Sequence, residues 1–133
     1  MITSGIITVA SQFGVKETIE RLAGLVQRAG LLVFARIDHG AGARDVGLEL
    51  RPTELLIFGN PKGGTPLMQE RQLAGIDLPV KALAWEDENG KVWLSYNDPE
   101  WIGRRHGLGA PSGWAVKAIT TGMEKLIAAA AGS

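Results

Sequence analysis

Two histidines, His39 and His106, and two aspartates, Asp38 and Asp98, carry most of the acid–base and metal-ligating chemistry suggested by this 133-residue chain. Asp38 precedes His39 directly, and Asp98 ends the triplet Tyr96-Asn97-Asp98. Arg105 and His106 follow a few residues on, and the bend Gly59–Thr65 lies between the two groups. An imidazole beside a carboxylate is the pairing that acid–base catalysis needs, with His39 or His106 as base and Asp38 or Asp98 orienting it. The same two histidines plus one aspartate would satisfy a two-histidine, one-carboxylate metal site, or give haem an axial ligand. Their spacing is no local motif, so only the fold can bring them together.

The Gly59–Thr65 bend invites a phosphate reading. A phosphate loop needs G-x-x-x-x-G-K-[ST], with backbone N–H groups around the anion and the lysine touching it. Gly59 and Gly64 have that spacing and Thr65 follows, but no lysine separates Gly64 from the hydroxyl residue. Lys62 lies inside the bend, and Pro61 removes a donor. What remains is a looser anion site built from Lys62, the glycine amides and Thr65 at a helix start. The plainer alternative is a tight turn before a capped helix. Asn97-Asp98-Pro99 likewise reads first as a turn with Asp98 as helix cap. His106 reads as a cation at a helix end, and His39 as a loop residue. Ser95 and Ser112 sit in no nucleophile elbow, which argues against a serine hydrolase.

These segments need elements to hold them. Ile6–Ala10 alternates like a strand, and Val15, Ile19, Leu22, Val26 and Ala29 recur at helical spacing up to a stop at Gly30. Leu31–Ile37 is a nearly continuous apolar run, read as a strand buried on both faces. Strand, helix and strand then predict a βαβ unit with parallel strands. Asp38–Gly47 reads as a loop with one short helix, and Leu55–Phe58 as a third strand. A short helix over Thr65–Gln72 would have Thr65 as its cap and Pro66 at its first position. If the second and third strands are parallel, Asp38-His39 and the glycine bend share one sheet edge.

Val80–Glu86 and Lys91–Tyr96 flank Asn89-Gly90, the signature of a two-residue hairpin. That register opposes Trp85 to Leu94 and Leu83 to Tyr96 on the core face. It leaves Trp93 outside with Ala82 and Ala84, as a dimer contact or ligand platform. A short helix follows Asp98-Pro99 up to Gly107. Ser112 caps a last helix with Val116, Ile119, Met123 and Leu126 as its stripe, and the tail after Ala128 frays.

Composition narrows the function classes. Fourteen basic and fourteen acidic residues cancel, so no net field draws the chain to nucleic acid or an anionic membrane. With no cysteine, disulfides, zinc–thiolate sites and thiol catalysis are excluded. No stretch approaches the roughly 20 apolar residues of a membrane span. Met1–Ala10 lacks the pattern of a leader, so a cytoplasmic location is expected. The length suits a single domain over 1–133, with its core in about 6–128.

The stretch FARIDHGAGARDVGLELRPTELLIFGNPKGGTPLMQ, followed by GIDLPVKALAWEDENGKVWLSYNDPEWIGRRHGL, resembles the domain of unknown function 302 family. The likeness runs from about Ile6 to Leu108. Its signature blocks resemble Asp38-His39, Gly59–Met68, Leu78-Pro79-Lys81, Tyr96-Asn97-Asp98 and Arg105-His106. The resemblance implies an α+β, two-layer, TATA-binding-protein-like β-α-β4-α fold. It implies an antiparallel-rich sheet with two main helices on one face, and a homodimer. It implies no activity, and a shared architecture is no argument for DNA binding. The resulting expectation is a homodimeric small-ligand-binding or interaction domain. Its site would gather Asp38, His39, Asn60, Lys62, Thr65, Asn97, Asp98, Arg105 and His106 around a small anionic group. The alternatives are an acid–base enzyme using the same histidines, a metal or haem protein, and a purely structural dimer domain.

Overall fold

The computed structural model describes residues 3–133. Met1 and Ile2, the start of the segment read above as no leader, lie outside the described residues. The chain runs β1 (Ile6–Ala10), α1 (Val15–Arg28), β2 (Leu32–Asp38), α2 (His39–Asp45), β3 (Thr53–Gly59) and α3 (Pro61–Glu70). A 3-10 turn at Gln72–Asp77, β4 (Lys81–Glu86), β5 (Val92–Asn97), α4 (Pro99–Arg105) and α5 (Ala110–Ala131) follow. The strands form one five-stranded sheet in the order β1-β5-β4-β3-β2, every neighbouring pair antiparallel.

This order corrects the βαβ expectation. β1 and β2 run in the same direction, but they stand at opposite edges with three strands between them. Helix α1 carries the chain across the whole sheet rather than to an adjacent strand. The apolar run of β2 therefore is not buried on both faces: Leu32 and Phe34 are each half exposed, as an edge strand leaves them. A bulge between Val33 and Ala35 shifts the register there.

One face of the sheet makes the core. Leu56 and Phe58 of β3, Ala82 and Ala84 of β4, and Leu94 and Tyr96 of β5 point at α1 and α5. Ile19, Leu22 and Val26 come down from α1, and Met123, Ile127 and Ala130 from α5. Each fully buried large side chain contributes about 2 kcal/mol of transfer free energy. This is the α+β, two-layer arrangement with two main helices on one face.

The hairpin sits one residue away from the expected register. Trp85 pairs with Trp93, Ala84 with Leu94, and Ala82 with Tyr96. The cause is Asp87. Its carboxylate accepts from Asn89 N–H at 2.9 Å, Lys91 N–H at 3.0 Å and Trp93 Nε1–H at 2.9 Å. Asp87 N–H also bonds to Lys91 O at 2.8 Å. The turn thus holds three residues, 88–90, with Gly90 at φ +78°. Asn89-Gly90 alone would have made two. Adding one residue turns the β4 side chains over relative to β5, while Leu94 and Tyr96 stay in the core and Trp93 stays outside, as expected. Ala82 and Ala84 enter the core, while Trp85 and Leu83 join Trp93 on the outer face.

The tail is also firmer than expected. Beyond Ala128 the helix continues to Ala131, with Ala130 and Ala131 fully buried. The Arg21 guanidinium donates to Ala129 O at 2.9 Å and Ala130 O at 3.1 Å.

Candidate functional site

Antiparallel pairing separates the two glycine-rich segments. Leu32 pairs with Gly59 and Asp38 with Glu54, so the Asp38 end of β2 lies six residues from the Gly59 end. That is about 20 Å at strand rise. Asp38 caps α2, accepting from Ala41 N–H at 2.9 Å. That hydrogen bond, aided by Lys16 and Arg44, holds its carboxyl below the ordinary range. His39 is exposed at the first position of α2. Beneath this end Lys16 and Arg36 pair with Glu54, at 3.7 and 3.5 Å.

At the other end, Asn60 caps α3, its Oδ1 accepting from Lys62 N–H at 3.0 Å. The helix starts five residues earlier than the sequence pattern predicts, with Pro61 rather than Pro66 at its first position. Thr65 is therefore not the cap, and Pro66 falls inside the helix. Asn97 Oδ1 accepts from Lys81 N–H at 2.8 Å, joining β5 to β4 at the same end. Asp98 caps α4 through Glu100 N–H at 3.0 Å.

Behind the start of α3 is a cleft of about 400 Å³. Its floor is Phe58 with Leu31 and Phe34 from the edge of the sheet. One wall is Leu78, Pro79 and Val80, leading into β4. The opposite wall is α5, through Ala118, Ile119, Gly122, Met123 and Leu126. The roof is α3, with Gly63, Gly64, Thr65 and Met68. Among the side chains lining the cleft only Asn60 and Thr65 are polar, and none is charged. A cleft of this size and lining desolvates an apolar molecule and fixes it with a few polar contacts.

The roof is locally weak. In a helix Gly63 and Gly64 cost about 1 kcal/mol each relative to alanine, and Pro66 about 3 kcal/mol. Neither glycine has a positive φ. A Cβ at Gly63 would meet Ile119 Cγ1 at 3.6 Å, and one at Gly64 would meet Leu78 Cδ1 at 3.7 Å, both ordinary contacts. The far end of α3 is held firmly. Leu67 is buried, and Glu70 accepts from Ser112 Oγ–H at 2.6 Å, Ser112 N–H at 3.1 Å and Gly109 N–H at 2.8 Å. The Ser112 hydroxyl, then the Gly109 amide, hold the Glu70 carboxyl below its ordinary value. Glu70 thus satisfies the start of α5 from a neighbouring helix. Ser112, expected to be that cap, sits inside α5 and donates to Glu70 instead.

The family-model comparison covers nearly the whole of this architecture: the model for "Domain of unknown function DUF302" matches residues 7–130. The chain belongs to the DUF302 family. A crystal structure of an uncharacterized conserved DUF302 protein from Bacillus stearothermophilus aligns over 97% of both chains, with TM-score 0.75 and 25% identity. Two curated relatives, from Brucella suis biovar 1 (strain 1330) and Brucella abortus biovar 1 (strain 9-941), are 54% identical over 132 residues. Both are named fluoride-specific ion channel FluC 1. The match takes in 99% of this chain but 52% and 49% of theirs, so the chain spans about half their length. Among the described residues of the DUF302 domain no helix is long and apolar enough to cross a membrane.

Of the nine residues singled out in the sequence, the DUF302 fold brings Asn60 and Thr65 to the cleft, with Lys62 on the exposed outer surface of α3. Asp38 and His39 are carried to the opposite end of β2. Arg105 and His106 meet neither Asp38 nor Asp98. Both bind Asp77, Arg105 Nη1 at 2.9 Å and His106 Nε2 at 2.6 Å, tying α4 to the 3-10 turn. The His106 side chain is 6% exposed and Asp77 19%. The two histidines therefore share no carboxylate, and no group of three or more metal-ligating side chains exists among the described residues. The sequence reading missed Asp77, Glu70 and the apolar lining. The available signal was Gly122, set among Ala118, Ile119 and Leu126 on an otherwise well-filled helical stripe.

Proposed function

We propose that this domain binds a small, mainly apolar molecule in the cleft under α3, with a hydrogen-bond-accepting or anionic end at the mouth. The apolar cleft itself carries the reading. The Asn60 Oδ1 is already engaged by Lys62 N–H, which leaves its amide N–H groups to offer a ligand. Thr65 adds a hydroxyl, and Lys62 a nearby exposed ammonium that pairs with no carboxylate among the described residues. Binding, rather than chemistry, fits a lining without a titratable side chain to activate the Thr65 hydroxyl. The test uses 1-anilinonaphthalene-8-sulfonate, an apolar body with an anionic end. Saturable fluorescence enhancement at one site is expected, lost in Gly122→Leu, while the fold and melting temperature persist. A Cβ at Gly122 meets nothing within 4 Å, so the leucine side chain has room to enter the cleft. Binding unchanged in that variant would move the site elsewhere.

A homodimer through the outer sheet face belongs to the same reading. Leu55, Ile57, Leu83, Trp85 and Trp93 stand there only half-buried in the single chain, and α1 and α5 pack on the other face. Light scattering tests it: a monomer at all concentrations would end it, and so would a dimer untouched by Trp93→Glu.

The length relation to the Brucella proteins favours one further reading, that the domain serves as an accessory part beside a membrane channel. The pore of such a channel would then lie outside the matched half. Melting temperatures in fluoride and chloride at equal ionic strength test this division. Equal values are expected, and a fluoride-specific rise would place anion recognition in this domain instead.

A further inference from the structure

We propose that the first half of α3, Pro61–Pro66, is the gate of the cleft, opening by local unwinding while Leu67–Glu70 stays docked. The proposal rests on the cleft being a ligand site, and adds how a ligand reaches it.

The two halves of α3 differ in what holds them. The second half is anchored by Leu67, which is 1% exposed, and by the Glu70 carboxylate, which takes three hydrogen bonds from the start of α5. The first half has no comparable anchor. Pro61, Lys62 and Thr65 are exposed, and Gly63 and Gly64 offer no side chain to pack. Its ties are the Asn60 cap to Lys62 N–H at 3.0 Å and the Asn60 carbonyl to Gly63 N–H at 2.8 Å and Gly64 N–H at 3.1 Å. Pro66 interrupts the ladder at the junction, since it has no N–H to return to the Lys62 carbonyl.

The glycines are not explained by shape. Neither has a positive φ, and a methyl group fits at both positions at ordinary contact distance. Alanine would make a better helix at both positions without a clash. The conformational effect of glycine here is to make this half of the roof easy to unwind. Opening it would expose Phe58, Met123 and the rest of the lining without disturbing the core helices. Local opening at low cost is how binding loops and lids are normally built.

The experiment uses the intact chain and the double variant Gly63→Ala/Gly64→Ala. In hydrogen exchange without ligand, amides of residues 63–65 should exchange at least about tenfold faster than those of 67–71, and the variant should slow them. In stopped-flow with 1-anilinonaphthalene-8-sulfonate, association and dissociation should both slow by about tenfold in the variant, with affinity changed less than about twofold. Rates unaltered by the substitutions, with the probe still bound, overturn the gate. If the parent chain binds no probe, the ligand reading fails separately. The gate is then decided by exchange alone, and uniform protection across α3 overturns it.

Discussion

The two ends of the β2–β3 ladder are built alike and stand in different surroundings. At one, a strand ends on Asp38, whose carboxylate caps a short helix containing Gly40 and Gly42. At the other, a strand ends on Gly59, and the side-chain amide of Asn60 after it caps a helix containing Gly63 and Gly64. The local grammar is the same: a small polar cap, then a glycine-rich first turn. Only the second end has α5 running behind it, with a glycine where a large side chain would have filled the gap. A cap and glycines make a turn. The space left by a distant helix is what gives one of them a cleft.

The largest expected effect tests that contrast directly. Gly122→Leu should weaken binding of the anilinonaphthalene probe by at least about 100-fold, because the new side chain occupies the ligand's space. Gly42→Leu, whose Cβ would also meet nothing within 4 Å, should leave binding unaltered. Fluorescence titration of both variants decides the matter. Equal effects would mean that the two ends are not distinguished by the cleft.

Legibility in the sequence followed the range of the forces. Elements set by their own periodicity, such as α1 and the strand at 55–58, were visible from the residues. So were the caps at Asp98 and Gly107. The pairing of β2 was not, because an apolar run of seven residues looks the same at an edge as in a parallel interior. The hairpin register turned on one carboxylate, Asp87, choosing a three-residue turn over the two-residue turn that Asn89-Gly90 suggested. The start of α3 was hidden because Pro66 resembles a first-turn proline, while Pro61 holds that place. The cleft was least legible of all: Phe58 and Met123 belong to the buried core with Leu126 packed against it, and only the packing of α3 against α5 leaves a space beside them. Resemblance to the family supplied the antiparallel sheet that periodicity alone did not.

Breaking each cap should separate the ends next. Asn60→Ala removes the anchor of the roof and should cost about 1 kcal/mol of stability. It should also speed probe dissociation severalfold. Asp38→Ala should destabilise the chain through α2 alone, with probe kinetics unchanged. Chemical denaturation paired with stopped-flow reads both, and altered probe kinetics in Asp38→Ala would contradict the separation.

A smaller effect concerns the docked end of α3. The Glu70 carboxyl is held below its ordinary value of 4.5, so its folded form loses the proton more readily than the unfolded chain does. The stability from this pairing is therefore complete above about pH 4.5 and disappears as pH falls through the lower, folded value. Glu70→Gln should melt below the parent at pH 7, and the gap should close toward pH 3. A gap independent of pH would mean that packing, not charge, holds α3 to α5.

The smallest effect sharpens what the mouth of the cleft recognises. Lys62 is exposed, so its ammonium attracts an anionic end only through solvent and salt. Lys62→Ala should weaken the sulfonate probe by about twofold at low salt and less at 0.5 M. Binding of an uncharged probe of similar shape should not change. An equal loss for both probes would show that the lysine stem, packed along the helix, matters rather than its charge. A loss tenfold or greater would bring the charge much closer to the ligand than its exposed position on α3 allows.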